Sequence, residues 1–170
     1  MTHLKVQPIP RVLGIDPTTK GFAYAVLEGP RVLVDWSVLH VRSPKHANAL
    51  QRVSILIARF RPHLIAVEDM AGVTKRGARA RDLIRGVEML ALTKRVQLRK
   101  ISRGEVEAAL GLEEATKYDI ARAISERFPE LAPRMPRIRK PWMSEDERMN
   151  VFDAVALALG GQGKTARLTP

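Results

Sequence analysis

Three acidic residues have the type and setting to do chemistry in this sequence. Asp16 ends the apolar run Val12-Leu13-Gly14-Ile15, just ahead of Pro17 and the turn-like Thr18-Thr19-Lys20-Gly21. Glu68 ends a second run, Leu64-Ile65-Ala66-Val67. Asp153 lies within Val151-Phe152-Asp153-Ala154-Val155-Ala156-Leu157, a stretch so apolar that burying a bare carboxylate there would be costly. If the two runs are neighbouring strands and a last helix packs over them, the three carboxylates share one site. Such a site suits one or two hard divalent cations, because Mg²⁺ prefers oxygen ligands and keeps several waters. Two ions held this way can activate an attacking water and stabilise the leaving oxygen in phosphodiester hydrolysis. Taken singly, each acid also has an ordinary structural role. Asp16 can form a turn before proline, Glu68 and Asp69 can pair with nearby arginines, and Asp153 can pair with Arg148. Their joint order along the chain favours the metal site.

The elements that must position these acids can be read from periodicity. Arg11–Ile15, Phe22–Leu27 and Arg31–Leu39 read as three strands of an antiparallel meander, joined by turns at 18–21 and at Gly29-Pro30. Lys45–Phe60 has helical spacing, with Leu50, Val53, Ile57 and Phe60 on one face, and Pro62 ends it. His63–Glu68 is a short, continuously apolar strand, as expected where both faces are covered. A glycine-containing loop, Met70–Arg76, leads to a helix over Ala78–Thr93, and Val96–Ile101 returns as strand. Ser102 and Glu105 have the spacing of a capping box for a helix ending near Gly111, and Glu113–Phe128 reads as another helix. Pro129–Pro141 is rich in proline and basic residues and is expected to be an irregular loop. Ser144 and Glu147 suggest a second capping box, opening a helix that runs to Leu159 and stops at Gly160-Gly161. The order implies a single mixed α/β domain over 1–170, with a flexible tail from about 161 to 170 and helices on both faces of one sheet.

Composition narrows the partner. Lys and Arg number 29 against 18 acidic residues, a net charge of +11, which points to a polyanion more readily than to a small acidic substrate. No apolar run approaches the roughly 20 residues that cross a bilayer, and the first residues lack the apolar core of a signal peptide. A cytoplasmic location with no membrane association is the expectation, in a host cytoplasm if the chain is viral. With no cysteine, a metal must be held by oxygen or imidazole. Basic residues gather as Lys75, Arg76, Arg79 and Arg81 after Glu68, as Lys94, Arg95, Arg99 and Lys100 around the fifth strand, and as Arg134, Arg137, Arg139 and Lys140 before the acidic helix. The first and third groups border the acids and are the expected phosphate contacts. The second also suits a solvated face. Trp142, beside the third group, reads as a core or loop anchor, with a base-stacking platform as the alternative.

These motifs, taken in order, resemble a known family. Leu13-Gly14-Ile15-Asp16-Pro17 with Gly21-Phe22-Ala23-Tyr24-Ala25-Val26, then Ile65-Ala66-Val67-Glu68, then Phe152-Asp153-Ala154-Val155-Ala156-Leu157-Ala158, are similar to the RuvC-type Holliday junction resolvases. The likeness runs from about Val12 to Gly160. It implies an RNase H-like fold with a central mixed five-stranded sheet whose first three strands are antiparallel. It also implies a homodimer that nicks four-way or other branched DNA symmetrically, using Mg²⁺ or Mn²⁺ and two ions per site. Asp16, Glu68 and Asp153 match the family's metal-binding carboxylates. Ser102 to Lys117 is similar to its capped helix, glycine turn and second helix, and Lys117 matches a basic residue near the scissile phosphate. A solvated helix lysine is the plainer reading of Lys117. Arg85-Gly86-Val87 resembles the signature of the family's dimer-interface helix, making Leu83, Gly86, Val87 and Leu90 the expected interface.

The chain departs from the pattern in two places. The family carries an Asp or His three residues before the last aspartate, where this chain has Asn150, a neutral ligand. Asp146, placed one helical turn earlier if the helix opens at Ser144, is the expected substitute. The bacterial family also carries an aromatic shortly after the strand-four glutamate, where this chain has Met70 and Ala71. Met70 can wedge against a base step but offers no ring. These departures and the short tail would suit a phage-type member. Three other readings compete with the nuclease. One is a DNA-binding module without efficient cleavage. Another is an actin-like or sugar-kinase phosphotransferase, which needs two related domains. The last is a YqgF-type RNA nuclease, which lacks the strand-four glutamate.

Overall fold

A computed structural model describes residues 8–71 and 77–163. Strands β1 (Arg11–Thr18), β2 (Gly21–Glu28) and β3 (Val32–His40) form the antiparallel meander expected from the sequence. Helix α1 (Lys45–Phe60) follows, then β4 (Leu64–Glu68), α2 (Ala78–Lys94) and β5 (Gln97–Ile101). Helices α3 (Arg103–Leu110) and α4 (Lys117–Arg127), a 3-10 helix (Pro129–Arg134) and α5 (Met149–Gln162) complete the described chain. The sheet is mixed, in the order β3-β2-β1-β4-β5, with β4 parallel to both β1 and β5. No helix among the described residues is long and apolar enough to cross a membrane.

Side-chain alternation splits the core in two. Leu13, Ile15, Phe22, Tyr24, Val26, Ile65 and Val67 face α1 and α2, and Val12, Ala23, Ala25, Leu27, Leu64 and Ala66 face α3, α4 and α5. Even-numbered positions of β1 and β4 therefore share the α5 side, and Asp16 and Glu68 fall on it. The backbones of β1 and α5 come unusually close at Gly14, where a Cβ would stand 2.1 Å from the Ala154 carbonyl oxygen. Only the missing side chain permits that approach.

Several expected boundaries move. Residues 144–148 are not helical: α5 starts at Met149 with no side-chain cap, so the expected box between Ser144 and Glu147 does not form. The helix also runs through Gly160 and Gly161 to Gln162. These glycines are buried contact points: a Cβ on Gly160 would strike Ile101 at 2.4 Å, and one on Gly161 would press on Val12, Ala66 and Leu64 at 3.1–3.2 Å. Close packing against the sheet outweighs their poor helix propensity. Helix α4 starts at Lys117 rather than Glu113, because Thr116 and Asp119 form a reciprocal capping box there. The box between Ser102 and Glu105 forms as expected, and Gly111, at φ 67, closes α3. Part of the proline-rich stretch is ordered as the 3-10 helix, anchored by buried Phe128 and Leu131.

Candidate active site

The parallel pairing of β1 with β4 runs from Val12–Leu64 to Ile15–Val67, so Asp16 and Glu68 come next, side by side. Both point toward α5, which crosses that face of the sheet. Asp16, Glu68 and Asp153 line one cleft with Lys117, Ser102, Arg103 and the apolar Ile101, Val106, Ile120, Ala156 and Leu157. Its volume of about 90 Å³ admits ions and a few waters but no nucleotide, so a nucleic acid must lie across the mouth. Asp16 is only 3% exposed, and a carboxylate so deep is tolerated only with compensating charge or hydrogen bonds.

Lys117 compensates a second carboxylate of the cleft, Asp153. The Thr116 box fixes the first turn of α4, and from there the Lys117 ammonium donates to Asp153 Oδ2 at 3.1 Å and to Glu145 Oε1 at 2.5 Å. Burial alone would pull its pKa down, but the Asp153 charge and the bonds to Glu145 outweigh that and hold it above the ordinary lysine value. Sequence reasoning did not single out Glu145. Its only signal was an acid in the segment leading to the helix that carries Asp153.

The donor set is all carboxylate oxygen at an open mouth, which fits hard divalent cations. As the side chains stand, no three acidic or imidazole groups among the described residues converge tightly enough to ligate one ion. Asp16, Glu68 and Asp153 share a cleft, and Asp153 is paired with the Lys117 ammonium.

The remaining expected ligands lie elsewhere. Asp146 is not a helical turn from Asn150. It sits before α5, gripped by the Arg148 guanidinium at 2.8–3.1 Å and by the Arg137 backbone N–H. These bonds, Arg148 foremost, hold its pKa down to about 2. Asn150 lines a neighbouring pocket with Pro17, Thr18, Lys20, Asp146 and Glu147, and Glu147 is paired with Lys20. Neither Asp146 nor Asn150 lines the carboxylate cleft.

Lys75 and Arg76 lie outside the described residues. Arg79 donates to the Thr19 carbonyl beside the turn that follows Asp16, and Arg81 is exposed on the first turn of α2. Arg137, Arg139 and Lys140 are exposed, and Arg139 braces its own loop through the Met143 carbonyl. Arg134 covers the Trp36 ring at 5.4 Å. Arg99 and Lys100 are engaged by Glu105 and Glu88. Met70 is half-buried against the α1/α2 core, which does not suit a wedge. Trp142 is no core anchor: it is 78% exposed.

The expected interface helix also needs correction. Leu83 and Val87 are buried in the chain's own core, with half-buried Leu90 packed against it, and Gly86 abuts Leu50 and His46 of α1. The apolar side chains that α2 turns outward are Met89 and Leu92.

No family model matches the chain, and no curated relative does. Solved structures do match, two structures of RuvC among them. One is the RuvC of Thermus thermophilus in complex with a Holliday junction substrate, 19% identical, with a TM-score of 0.70 over 94% of this chain and 97% of that one. The other is a second Thermus thermophilus RuvC structure, 20% identical, with a TM-score of 0.68 over 92% and 95%. Across nearly its full length this chain therefore has the RuvC fold, an RNase H-like mixed five-stranded sheet with helices on both faces.

Proposed function

We propose that the chain is a structure-selective endonuclease that resolves four-way and related branched DNA by metal-dependent, symmetric nicking. The observation that carries this reading is the cleft lined together by Asp16, Glu68, Asp153 and Lys117, on the RuvC fold. Asp16, Glu68 and Asp153 would hold Mg²⁺ or Mn²⁺, whose contribution is to activate water and neutralise charge on the phosphate. The chain's residues do the rest. Asp16 and Glu68, fixed at adjacent strand ends, would fix where the cations sit at the cleft. Lys117 lies close enough to share charge with an incoming phosphoryl oxygen once its pairing with Asp153 loosens. Exposed Arg137, Arg139 and Lys140 meet flanking phosphates, as the net charge of +11 favours.

The test is a labelled synthetic four-way junction incubated with Mg²⁺ or Mn²⁺. The expected result is paired nicks at symmetric positions, with the rate cut at least ~100-fold in Asp16→Asn while binding persists. Binding without metal-dependent nicks in the unaltered chain would sink the proposal. It would favour a junction-binding module instead, a reading supported by the neutral Asn150, which lines the neighbouring pocket rather than the cleft.

A further inference from the structure

The segment between the 3-10 helix and α5 exposes more apolar surface than its role as a connection requires. Trp142 is 78% exposed, Ile138 70% and Met143 39%. A Trp so exposed forgoes most of its burial energy, so its position is not explained by the fold of this chain. The surroundings select a partner. The Lys140 ammonium lies 5.4 Å from the Trp142 ring centroid, and Arg137 and Arg139 are exposed on the same segment. An aromatic face among cations is the recurrent arrangement for holding an unpaired nucleotide, the base stacked on the ring and the backbone on the charges. A protein partner with an acidic surface would satisfy the cations but would leave the flat ring face unused.

The location agrees. Three residues beyond Trp142, Glu145 binds at 2.5 Å the Lys117 ammonium, and Lys117 lines the acidic cleft. That separation is at most about 11 Å of extended chain. The Arg139 bond to the Met143 carbonyl and the Arg137 backbone bond to Asp146 brace the segment on both sides of the ring.

We propose that Trp142 is a stacking platform for an unpaired base, which engages a nucleotide splayed from the branch point beside the cleft and so favours branched over continuous duplex DNA. It rests on the nuclease reading for the identity of the branched substrate, but stacking can be measured without cleavage.

The experiment compares the unaltered chain with Trp142→Ala and Trp142→Phe, without divalent cations. The probes are a four-way junction, single-stranded DNA, continuous duplex and heparin. Trp142 fluorescence is separated from Trp36 by subtracting the Trp142→Phe signal. Expected results are quenching by single-stranded DNA and junction but not by heparin, and about tenfold weaker binding of both in Trp142→Ala. Trp142→Phe should recover most of that loss, and duplex affinity should change less than twofold. Equal losses on duplex and junction, equal quenching by heparin, or unchanged affinity in Trp142→Ala would each overturn the platform. Nicking by the unaltered chain reports on the nuclease reading separately. Quenching with no nicking leaves the platform standing alone, and nicking with no quenching removes only the platform.

Discussion

Lys117 is the residue whose place in the cleft is best defined, since it bridges Asp153 and Glu145 and lines the same cleft as Asp16 and Glu68. Two roles are open to such a lysine. If it only neutralised two acids, its loss would raise repulsion in the cleft, and cation binding would tighten as a positive competitor disappeared. If it also meets the phosphate, cleavage suffers whatever the metal concentration. Lys117→Met keeps the length of the stem and removes the charge. The expected outcome is a nicking rate lower by roughly a hundredfold at saturating Mg²⁺, with junction affinity within about threefold. An unchanged rate at saturating Mg²⁺, reached at a lower Mg²⁺ concentration than in the unaltered chain, would reduce Lys117 to a counter-charge. The sequence alone placed Asp16, Glu68 and Asp153, because strand ends and an apolar helix frame them. It could not place Glu145 or show that Asp146 is spent on Arg148, because both depend on where a short irregular segment turns.

At the level of elements, the contact between β1 and α5 controls the site. Gly14 lets the strand and helix backbones meet, and Asp16 and Asp153 sit two residues along β1 from Gly14 and one before Ala154 on α5. Gly14→Ala would push a methyl to 2.1 Å from the Ala154 carbonyl oxygen and 2.9 Å from the Ala158 nitrogen, both backbone atoms that cannot swing aside. The helix must lift, carrying Asp153 from its partners across the sheet. Urea unfolding should show a loss of roughly 1–3 kcal/mol or more, with cleavage falling by more than the unfolded fraction explains. A variant of unaltered stability would mean the contact is looser than drawn. The same contact explains why strand order and the two core faces were legible in the sequence while the ends of α5 were not. Alternation and helical spacing record which face is buried. Nothing local distinguishes Gly160 and Gly161 as a stop signal from two glycines required where a helix presses on Val12, Ala66 and Ile101.

For the whole molecule, the proposed symmetric cleavage demands two clefts related by a twofold axis, and one chain supplies one cleft. A second copy must therefore dock, and its contact surface must be exposed in the single chain. Leu83 and Val87 fail that condition, being buried beneath α2, and a larger residue at Gly86 would press on Leu50 and His46 before meeting any partner. Gly86→Glu is thus expected to loosen the packing of α1 on α2 and lower thermal stability. A change in assembly would then be a secondary effect. Met89 at 64% and Leu92 at 73% exposure satisfy the condition, and no other large apolar side chain of α2 is as open. Like charges brought together at an interface core cost far more than the same charges on a free surface. The double substitution Met89→Glu with Leu92→Glu should therefore leave the chain folded by circular dichroism and shift its sedimentation from dimer to monomer. The monomer should still bind a junction weakly through its basic surface, but it should nick one strand at a time rather than in symmetric pairs. Paired nicking by a demonstrated monomer would separate the cleavage chemistry from the assembly altogether. A folded variant that remains dimeric would move the interface to another face of the molecule.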